Sequence, residues 1–460
     1  MIKLKEKIGY GFGDMASSMF WKIFGMYLLF FYTDVFGLPA AAVGTMFLVT
    51  RVWDTLFDPV VGVIGDRTES RWGKFRPYLL WFAIPFGVIG TLMFVTPSFT
   101  DTGKLVYAYI TYSLMMMVYS MINVPYASLL GVMSSDPRDR NTLSSYRMVF
   151  AFIGSFVSLI LIDPLVRCFQ HSFGSVQTGW TLGVMVIAIL CVLFFFGCFA
   201  LTRERIRPIN EANRSLKADI KDLLVNRPWW ILLGAGIAAL IFNSIRDGAA
   251  VYYFKYYVQN KDAFKIPFID ASLTLTTLYF ILGQAANIVG IILIAPIAGR
   301  IGKKFAYLGA MALATVLSIG FFFISSNNIA AMMVMQFFIS MCAGSIFPLL
   351  WSMYADIADY SEWKHGRRAT GLIFSSSSMS QKFGWTIGGA ITGWLLGYFG
   401  FQANVAQTGE TLIGIRMMLS MLPAIGTVLS VLFISLYPLS EKKLTVIIEE
   451  LNERRSLLQQ

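Results

Sequence analysis

Apolar windows of about 20 residues recur from one end of this chain to the other, and no other feature limits its fold as much. A helix rises 1.5 Å per residue, so a window of that length crosses a bilayer. Inside lipid every backbone N–H and C=O must be satisfied within its own segment, which helices achieve. Read by hydropathy, the spans are 8–34, 40–65, 77–97, 106–133, 146–168, 180–201, 229–258, 270–299, 305–325, 328–355, 369–399 and 411–438. They predict an all-α membrane protein with twelve transmembrane helices. Several exceed what a bilayer requires, which predicts tilt, kinks or extensions into the loops. A chain of 460 residues with 56% hydrophobic and only 14% charged residues fits no soluble class.

The net charge of +11 would suit a nucleic-acid partner, but the basic residues are not gathered into a patch. They sit in short loops: Lys3, Lys5 and Lys7; Arg67, Arg71, Lys74 and Arg76; Arg138 and Arg140; Arg203 to Arg227; Arg300, Lys303 and Lys304; Lys364, Arg367 and Arg368; Lys442 to Arg455. The alternate loops hold little beyond Lys104, Arg167, Lys261 and Lys265. This asymmetry is the positive-inside pattern and places both termini in the cytoplasm, as an even number of spans requires. It leaves no nucleic-acid partner to expect. The start, Met1 to Lys7, runs into a span too long for a signal peptide, so a multi-pass inner-membrane protein is expected. Cys168, Cys191, Cys198 and Cys342 lie in or beside spans without metal spacing, and His171 and His365 are isolated. No Ser/His/Asp set, metal-ligand spacing, phosphate-binding loop or nucleotide fingerprint is present, so neither an enzyme nor a resident cofactor is expected.

The polar stretch 202–228 divides the chain into an N-terminal half, 1–201, and a C-terminal half, 229–438, followed by a cytoplasmic tail, 439–460. Leu216 to Leu224 within that linker has an amphipathic helical period. The halves echo one another. Gly65-Asp66-Arg67 through Gly73-Lys74-Phe75-Arg76-Pro77 follows the second span, and Gly299-Arg300-Ile301-Gly302-Lys303-Lys304-Phe305 follows the eighth. Paired halves around a central site are how alternating-access transporters are built. A loop that only sets topology and binds anionic lipid headgroups is the plainer reading of the same residues.

Charges within the spans narrow the function. Arg51, Asp54 and Asp58 interrupt the second span. Asp54 and Asp58 are four residues apart and share a helical face, with Arg51 one turn before Asp54. A carboxylate at mid-bilayer costs about 2.5–3.5 kcal/mol even on insertion scales, and two on one face repel unless a cation or proton lies between them. They are candidates for a cation-coupling site; Arg51 neutralising Asp54 in a structural pair is the alternative. In the first span Asp14 lies near the cytoplasmic end and is expected to meet a loop arginine as a gate, with Arg67 and Arg71 on hand. Ser17, Ser18 and Trp21 lie deeper and serve a sugar or a helix contact equally well. Tyr119, Asn123 and Tyr126 align on one face of the fourth span, where amides and phenols can hold hydroxyls and rings can stack on a pyranose. Arg147, opening the fifth span, needs an anion; Asp54, Asp58 or a substrate oxygen would serve. Arg246 and Asp247 in the seventh span point apart and need separate partners. On the tenth span Phe347 and Trp351 are candidate pocket walls, and Asp356, Asp359 and Glu362 fall beside Lys364, Arg367 and Arg368 as an expected ionic gate between halves. Lys382, deep in the eleventh span, should face the cavity and meet Asp54 or Asp58.

Taken together, several motifs resemble the glycoside–pentoside–hexuronide:cation symporters, the melibiose-carrier branch of the major facilitator superfamily. They are Arg51-Val52-Trp53-Asp54 with Asp58-Pro59, Asp66-Arg67 with Ser70 to Pro77, Tyr27 with Tyr32-Thr33-Asp34, Asn123-Val124-Pro125-Tyr126, Asp356 with Asp359-Tyr360-Ser361-Glu362, and Lys382. The resemblance covers nearly the whole chain. It implies twelve helices in two six-helix halves, sugar uptake coupled to a proton or sodium, and a monomer in membrane lipid. It also implies a cation site at Asp54 and Asp58 helped by Ser120, with Tyr119, Asn123, Arg147 and Lys382 facing the sugar or linking it to the cation. The melibiose-type carriers place an amide one residue before the second acid, where this chain has Phe57. Loss of an oxygen ligand disfavours sodium, since hard cations need several oxygens, and so favours a proton. The galactoside carriers' first-helix Lys-Asp pair is Ser17-Ser18 here, their fourth-helix acid is Asn123, and the nearby Trp is Ala127. Without that acidic clamp melibiose is not the expected sugar; a β-glycoside, a xyloside or a hexuronide is. A lipid or lysolipid carrier of the same fold, or a membrane sugar sensor that does not transport, are the rival readings.

Overall fold

The computed structural model describes residues 2–134, 137–205, 223–259, 262–265, 272–365 and 370–457. Twelve long helical stretches run through the described residues, with a thirteenth helix in the tail. They are α1 (Leu4–Ile23, continued by wider π-type turns at Phe24–Leu28 and Phe31–Val35), α2 (Ala40–Arg67), α3 (Arg76–Leu92, broken at Phe82), α4 (Asp101–Met133), α5 (Pro137–Phe173) and α6 (Val176–Leu201). Then come α7 (Arg227–Tyr252, continued at Tyr253–Tyr257), α8 (Leu275–Ile301), α9 (Lys303–Phe321), α10 (Ile329–His365), α11 (Thr370–Tyr398), α12 (Gly409–Leu419 and Met421–Ser435) and α13 (Glu441–Leu457). Eight of these are long and apolar enough to cross a membrane by length and composition. The other four of the twelve include α2, with its three charges, and the short α3.

Local chemistry sets the helix starts. Thr100, Ser175, Asn226 and Thr408 each accept a hydrogen bond from a backbone N–H in the first turn of α4, α6, α7 and α12. Such caps satisfy donors that a helix leaves unpaired at its start. Between α7 and α8 stands a feature hydropathy does not signal: β1 (Asp262–Lys265) pairs antiparallel with β2 (Ser272–Thr274). The eighth helix therefore begins at Leu275, five residues later than its apolar window suggests. Of the expected linker 202–228, residues 206–222 lie outside the described residues, the amphipathic stretch from Leu216 almost entirely among them.

The chain forms two compact units. The first comprises Met1–Asn210, Asn260–Ile281 and Leu396–Ala406; the second comprises Glu211–Gln259, Leu282–Leu395 and Gln407–Gln460. In the first, α1 lies closely on α5, where a Cβ at Gly154 would fall 2.4 Å from the Met15 carbonyl oxygen. Asp163 on α5 accepts from Arg167 Nε at 3.1 Å and from the backbone N–H of Thr274, at the start of α8, at 3.0 Å. The loop before α3 is tied to the end of the sixth helix. The Glu204 carboxylate accepts from the backbone N–H of Lys74, Phe75 and Arg76 at 2.8, 2.7 and 2.9 Å. Gly73 has φ +111° there, and a Cβ on it would stand 2.5 Å from the same carboxylate. Hydrogen bonds to a charged group contribute more than neutral ones, so Glu204→Gln should cost about 1–2 kcal/mol. The thermal midpoint of the purified protein should fall; an unchanged midpoint would contradict this account of the loop.

The second unit has its own core, in which Trp229, Leu232, Tyr307, Met311, Ile346, Met353 and Tyr354 are buried together. The tail helix adds Leu444, Ile447 and Leu451 to it. Here α12 breaks at Ser420 (φ −131°, ψ −86°). The buried Arg246 of α7 caps the break: its guanidinium donates to the Leu419 carbonyl oxygen, to Ser318 Oγ at 3.2 Å and to Gln336 Oε1 at 2.8 Å. These partners come from α9, α10 and the break in α12. Each unit's first helix, α1 and α7, finishes in a π-type segment, and each loop after the second helix turns on a positive-φ glycine, Gly73 and Gly302. The sequence echo is therefore also an echo in conformation.

Candidate functional site

The second span is helical throughout, so Arg51, Asp54 and Asp58 lie on one stripe of α2. Across from them on α4 stands Ser120, 1% exposed. Its Oγ is 2.9 Å from Asp54 Oδ1 and 2.6 Å from Asp58 Oδ1. Asp54's other oxygen is held by Arg51 Nη1 at 2.8 Å, and both side chains of that pair are almost fully buried. Arg51 also donates to Met116 Sδ at 3.4 Å, and its guanidinium lies 5.0 Å from the centroid of the Trp21 ring. Three oxygens from two helices therefore converge, those of Asp54 and Ser120 buried and that of Asp58 half-buried, with Arg51 on Asp54. Phe57 beside them supplies no oxygen.

Next to this cluster lies a polar and aromatic wall. Trp21 on α1 and Tyr119 on α4 stack at a tilt, ring centroids 5.5 Å apart. Ser17 Oγ donates to Asn123 Oδ1 at 3.1 Å, and Asn123 Nδ2 donates to the Tyr119 carbonyl at 3.0 Å. Ser18 is half-buried on the same helix. Trp21, Tyr119 and Asn123 remain partly exposed, so their faces and unused donors are open to a ligand.

Three residues sit differently from the sequence expectation. Asp14, expected at a loop arginine, is held by Arg147 of α5, with Arg147 Nε and Nη2 on its two oxygens. Arg147 in turn meets Asp14 rather than Asp54 or Asp58. Arg67 and Arg71 are exposed, and Arg71 lies over the Trp72 ring at 4.2 Å. Tyr126, expected beside Asn123 on a sugar-facing surface, is 1% exposed. Its hydroxyl donates to the Tyr10 carbonyl at 2.6 Å, its ring stacks on Tyr10 at 4.8 Å, and Arg147 lies over it at 5.0 Å. It supports the Asp14–Arg147 pair. The cause is Gly13: a Cβ there would stand 2.3 Å from the Tyr126 ring, so only glycine lets α1 come that close.

In the second unit, Phe347 and Trp351 are half-buried on α10 and Lys382 is half-buried on α11. Asp356 is bound by Lys303 Nζ of α9 through both oxygens at 2.7 Å, an ion pair within the unit. It replaces the expected pairing with Lys364, Arg367 or Arg368; the last two lie outside the described residues. Asp359 and Glu362 are half-buried one and two turns further on. Sequence reasoning missed Met116 and Tyr10, because neither an apolar thioether nor a tyrosine near a helix end stands out from pattern alone.

The profile of the family described as MFS/sugar transport protein matches residues 9–441. An isoprimeverose transporter of Lactiplantibacillus pentosus is 35% identical, over 100% of this chain and 94% of its own length. A putative glycoside/cation symporter of Escherichia coli (strain K12) is 34% identical over 99% of this chain and 96% of its own. A glucuronide carrier protein homolog of the same organism is 33% identical over 98% and 96%. Among solved structures, the nucleoside transporter NupG covers 94% of this chain and 100% of its own with a TM-score of 0.66 at 13% identity. A structure from work on proton dependent oligopeptide transporters covers 97% of this chain with a TM-score of 0.67 at 11% identity. At such identities the likeness concerns the fold alone.

Proposed function

The chain belongs to the MFS/sugar transport protein family, as a multi-pass inner-membrane transporter of the major facilitator fold and not an enzyme, and from that membership we propose that it is a sugar:cation symporter taking up an uncharged glycoside or pentoside with a proton. The observation that carries the proposal is the Ser120 hydroxyl lodged between the Asp54 and Asp58 carboxyls at 2.9 and 2.6 Å. A hydroxyl has one proton to donate. Two such contacts leave one to be completed by a proton or a cation between the two acids. Three side-chain oxygens form a thin shell for sodium, and Phe57 thins it further. Asp54, Asp58 and Ser120 are thus the cation site.

Trp21, Tyr119, Asn123, Ser17 and Ser18 are the first unit's candidates for the sugar, and Phe347, Trp351 and Lys382 are those of the second. Arg147 already balances Asp14, which speaks for a neutral sugar over a hexuronide. The names of the two most relevant relatives, an isoprimeverose transporter and a putative glycoside/cation symporter, support the substrate class. Two six-helix halves that rock about the central site, with both termini cytoplasmic, give alternating access. Asp356, Asp359 and Glu362 with the basic loops brace its cytoplasmic side. Isoprimeverose uptake into proteoliposomes tests the reading, under a proton gradient, a sodium gradient or neither. Accumulation driven by protons is expected. Binding without flux would favour a sensor, and accumulation only with sodium would reverse the choice of ion.

A further inference from the structure

We infer that Asp163 is the outer latch of this carrier, holding the start of α8 to the first unit and letting go of it when the sugar path opens outward; the inference rests on the transporter reading above. The division into two compact units does not follow the middle of the sequence. It cuts α8 between Ile281 and Leu282 and α11 between Leu395 and Leu396, and the segments Asn260–Ile281 and Leu396–Ala406 belong to the first unit. On the topology proposed above, the α7–α8 and α11–α12 connections lie on the outer face, as does the end of α5 that carries Asp163. Two segments from the second half of the sequence are therefore held by the first unit on one side of the membrane. Each cut has a glycine close by, Gly283 in α8 and Gly397 in α11, where a helix is least stiff.

The directional contacts are polar and sit on helix ends. Asp163 Oδ2 accepts from the backbone N–H of Thr274 at 3.0 Å and from Thr277 Oγ1 at 3.2 Å. These groups open α8, where a helix has unpaired N–H donors and its dipole favours an anion. Asn404, in the other segment, donates from Nδ2 to the Asp34 carbonyl oxygen, 2.6 Å away at the end of α1. Both sides of the Asp163 contact keep a partner of their own once parted. Asp163 Oδ1 has Arg167 Nε at 3.1 Å on the same helix, and Thr274 Oγ1 accepts from the Thr277 N–H at 3.2 Å, so α8 keeps its cap. Release therefore strands no charge, and at a helix end water can take the vacated places. Leu273, Leu275, Tyr279 and Phe280 are buried around the contact, and the Phe280 ring meets that of Tyr27 at 5.8 Å. Apolar burial has no direction, so it is Asp163 that fixes where α8 docks. Among the described residues β1 and β2 pair only with each other, which leaves the hairpin able to travel with α8.

Leu275→Cys, with the exposed Cys168 changed to serine, reports release, because Leu275 is 4% exposed while α8 is docked. A maleimide is added to the full-length protein in nanodiscs, and its attachment is timed by mass spectrometry with the buried Cys191 of α6 as internal standard. Asp163→Ala in this background should speed labelling at position 275 by roughly tenfold or more, the worth of hydrogen bonds to a charged acceptor. Asp163→Asn keeps an acceptor without the charge and should fall between. Cys191 should label at one rate in every variant. Equal rates at position 275 with and without Asp163 would overturn the latch. So would a rise at Cys191 in step with it, which marks a general loosening of the unit. A second arm ties the latch to transport. Asp163→Cys with Thr277→Cys, again without Cys168, puts thiols where two oxygens stand 3.2 Å apart. Oxidation of the pair should stop isoprimeverose exchange in proteoliposomes, and reduction should restore it. Undiminished exchange through a bridge verified by mass would overturn the proposal. Should no bridge form, or the wild type move no isoprimeverose, the labelling alone decides whether Asp163 holds α8; in the latter case it is the transport reading that fails.

Discussion

Asp58→Asn should yield a carrier that equilibrates sugar across the membrane but no longer concentrates it. Asparagine has the same shape and can still meet Ser120, which stands 2.6 Å from Asp58 Oδ1, so the helices need not move. What it lacks is a group that gains and loses a proton. One charge moved across 100 mV is worth about 2.3 kcal/mol. At about 1.4 kcal/mol per factor of ten, this sustains roughly fiftyfold accumulation. In vesicles holding a potassium-diffusion potential the accumulation ratio should fall from that order to about one, while exchange of labelled for unlabelled sugar persists. Asp54→Asn behaves differently, because it removes the carboxylate that Arg51 holds. Removing one partner of a buried ion pair costs about 3–5 kcal/mol. That variant should lose folded protein as well as transport. Equal behaviour of the two variants would contradict the division of labour between the acids.

A second large effect is expected in the second unit. There α8 and α10 cross with almost nothing between them. A Cβ on Gly290 would stand 1.9 Å from the Met341 carbonyl oxygen, and one on Gly344 would stand 2.5 Å from the Asn287 Cα. Both obstacles are backbone, which no rotamer change can clear. In membranes, close approach through small residues is a main source of helix association, since lipid is as apolar as the side chains it would displace. Gly290→Val therefore forces the helices apart and should cost about 3 kcal/mol or more, the upper range for overpacking. Size-exclusion profiles and thermal midpoints of the purified variant should show mostly aggregated or low-melting protein. Gly309→Ala is the control: it lies in α9 with no atom within 4 Å of its Cβ position. Alanine there should be neutral or slightly stabilising. Similar losses in both variants would mean that the crossing is not tight.

Much of this was legible in the residues themselves. Apolar windows located the twelve long helices, because the requirement to bury backbone polar groups in lipid acts locally. The four-residue spacing of Asp54 and Asp58 placed them on one stripe for the same local reason. What could not be read was which helix brings a partner. Asp14 took Arg147 from α5 and Asp356 took Lys303 from α9. The cost of an isolated charge shows that a partner is needed but carries no information on its address. Tyr126 was misplaced because helical period shows which residues share a face, not that Gly13 lets α1 close over the end of that face. Arg246 reads as a functional charge until α12 is seen to break at Ser420, where Pro423 deprives the Leu419 carbonyl of its helical donor and Arg246 takes that place. The hairpin before α8 escaped because its strands are too short, at four and three residues, to show an alternation.

On the proposed function, sugar crosses with an ion held by Asp54, Asp58 and Ser120. Its most direct test is to record the pH of a lightly buffered medium around proteoliposomes, held without sodium, while isoprimeverose is added. A sugar-dependent alkalinisation that vanishes in Asp58→Asn is expected. Entry of isoprimeverose with no movement of protons, and none of sodium when that ion is restored, would contradict it.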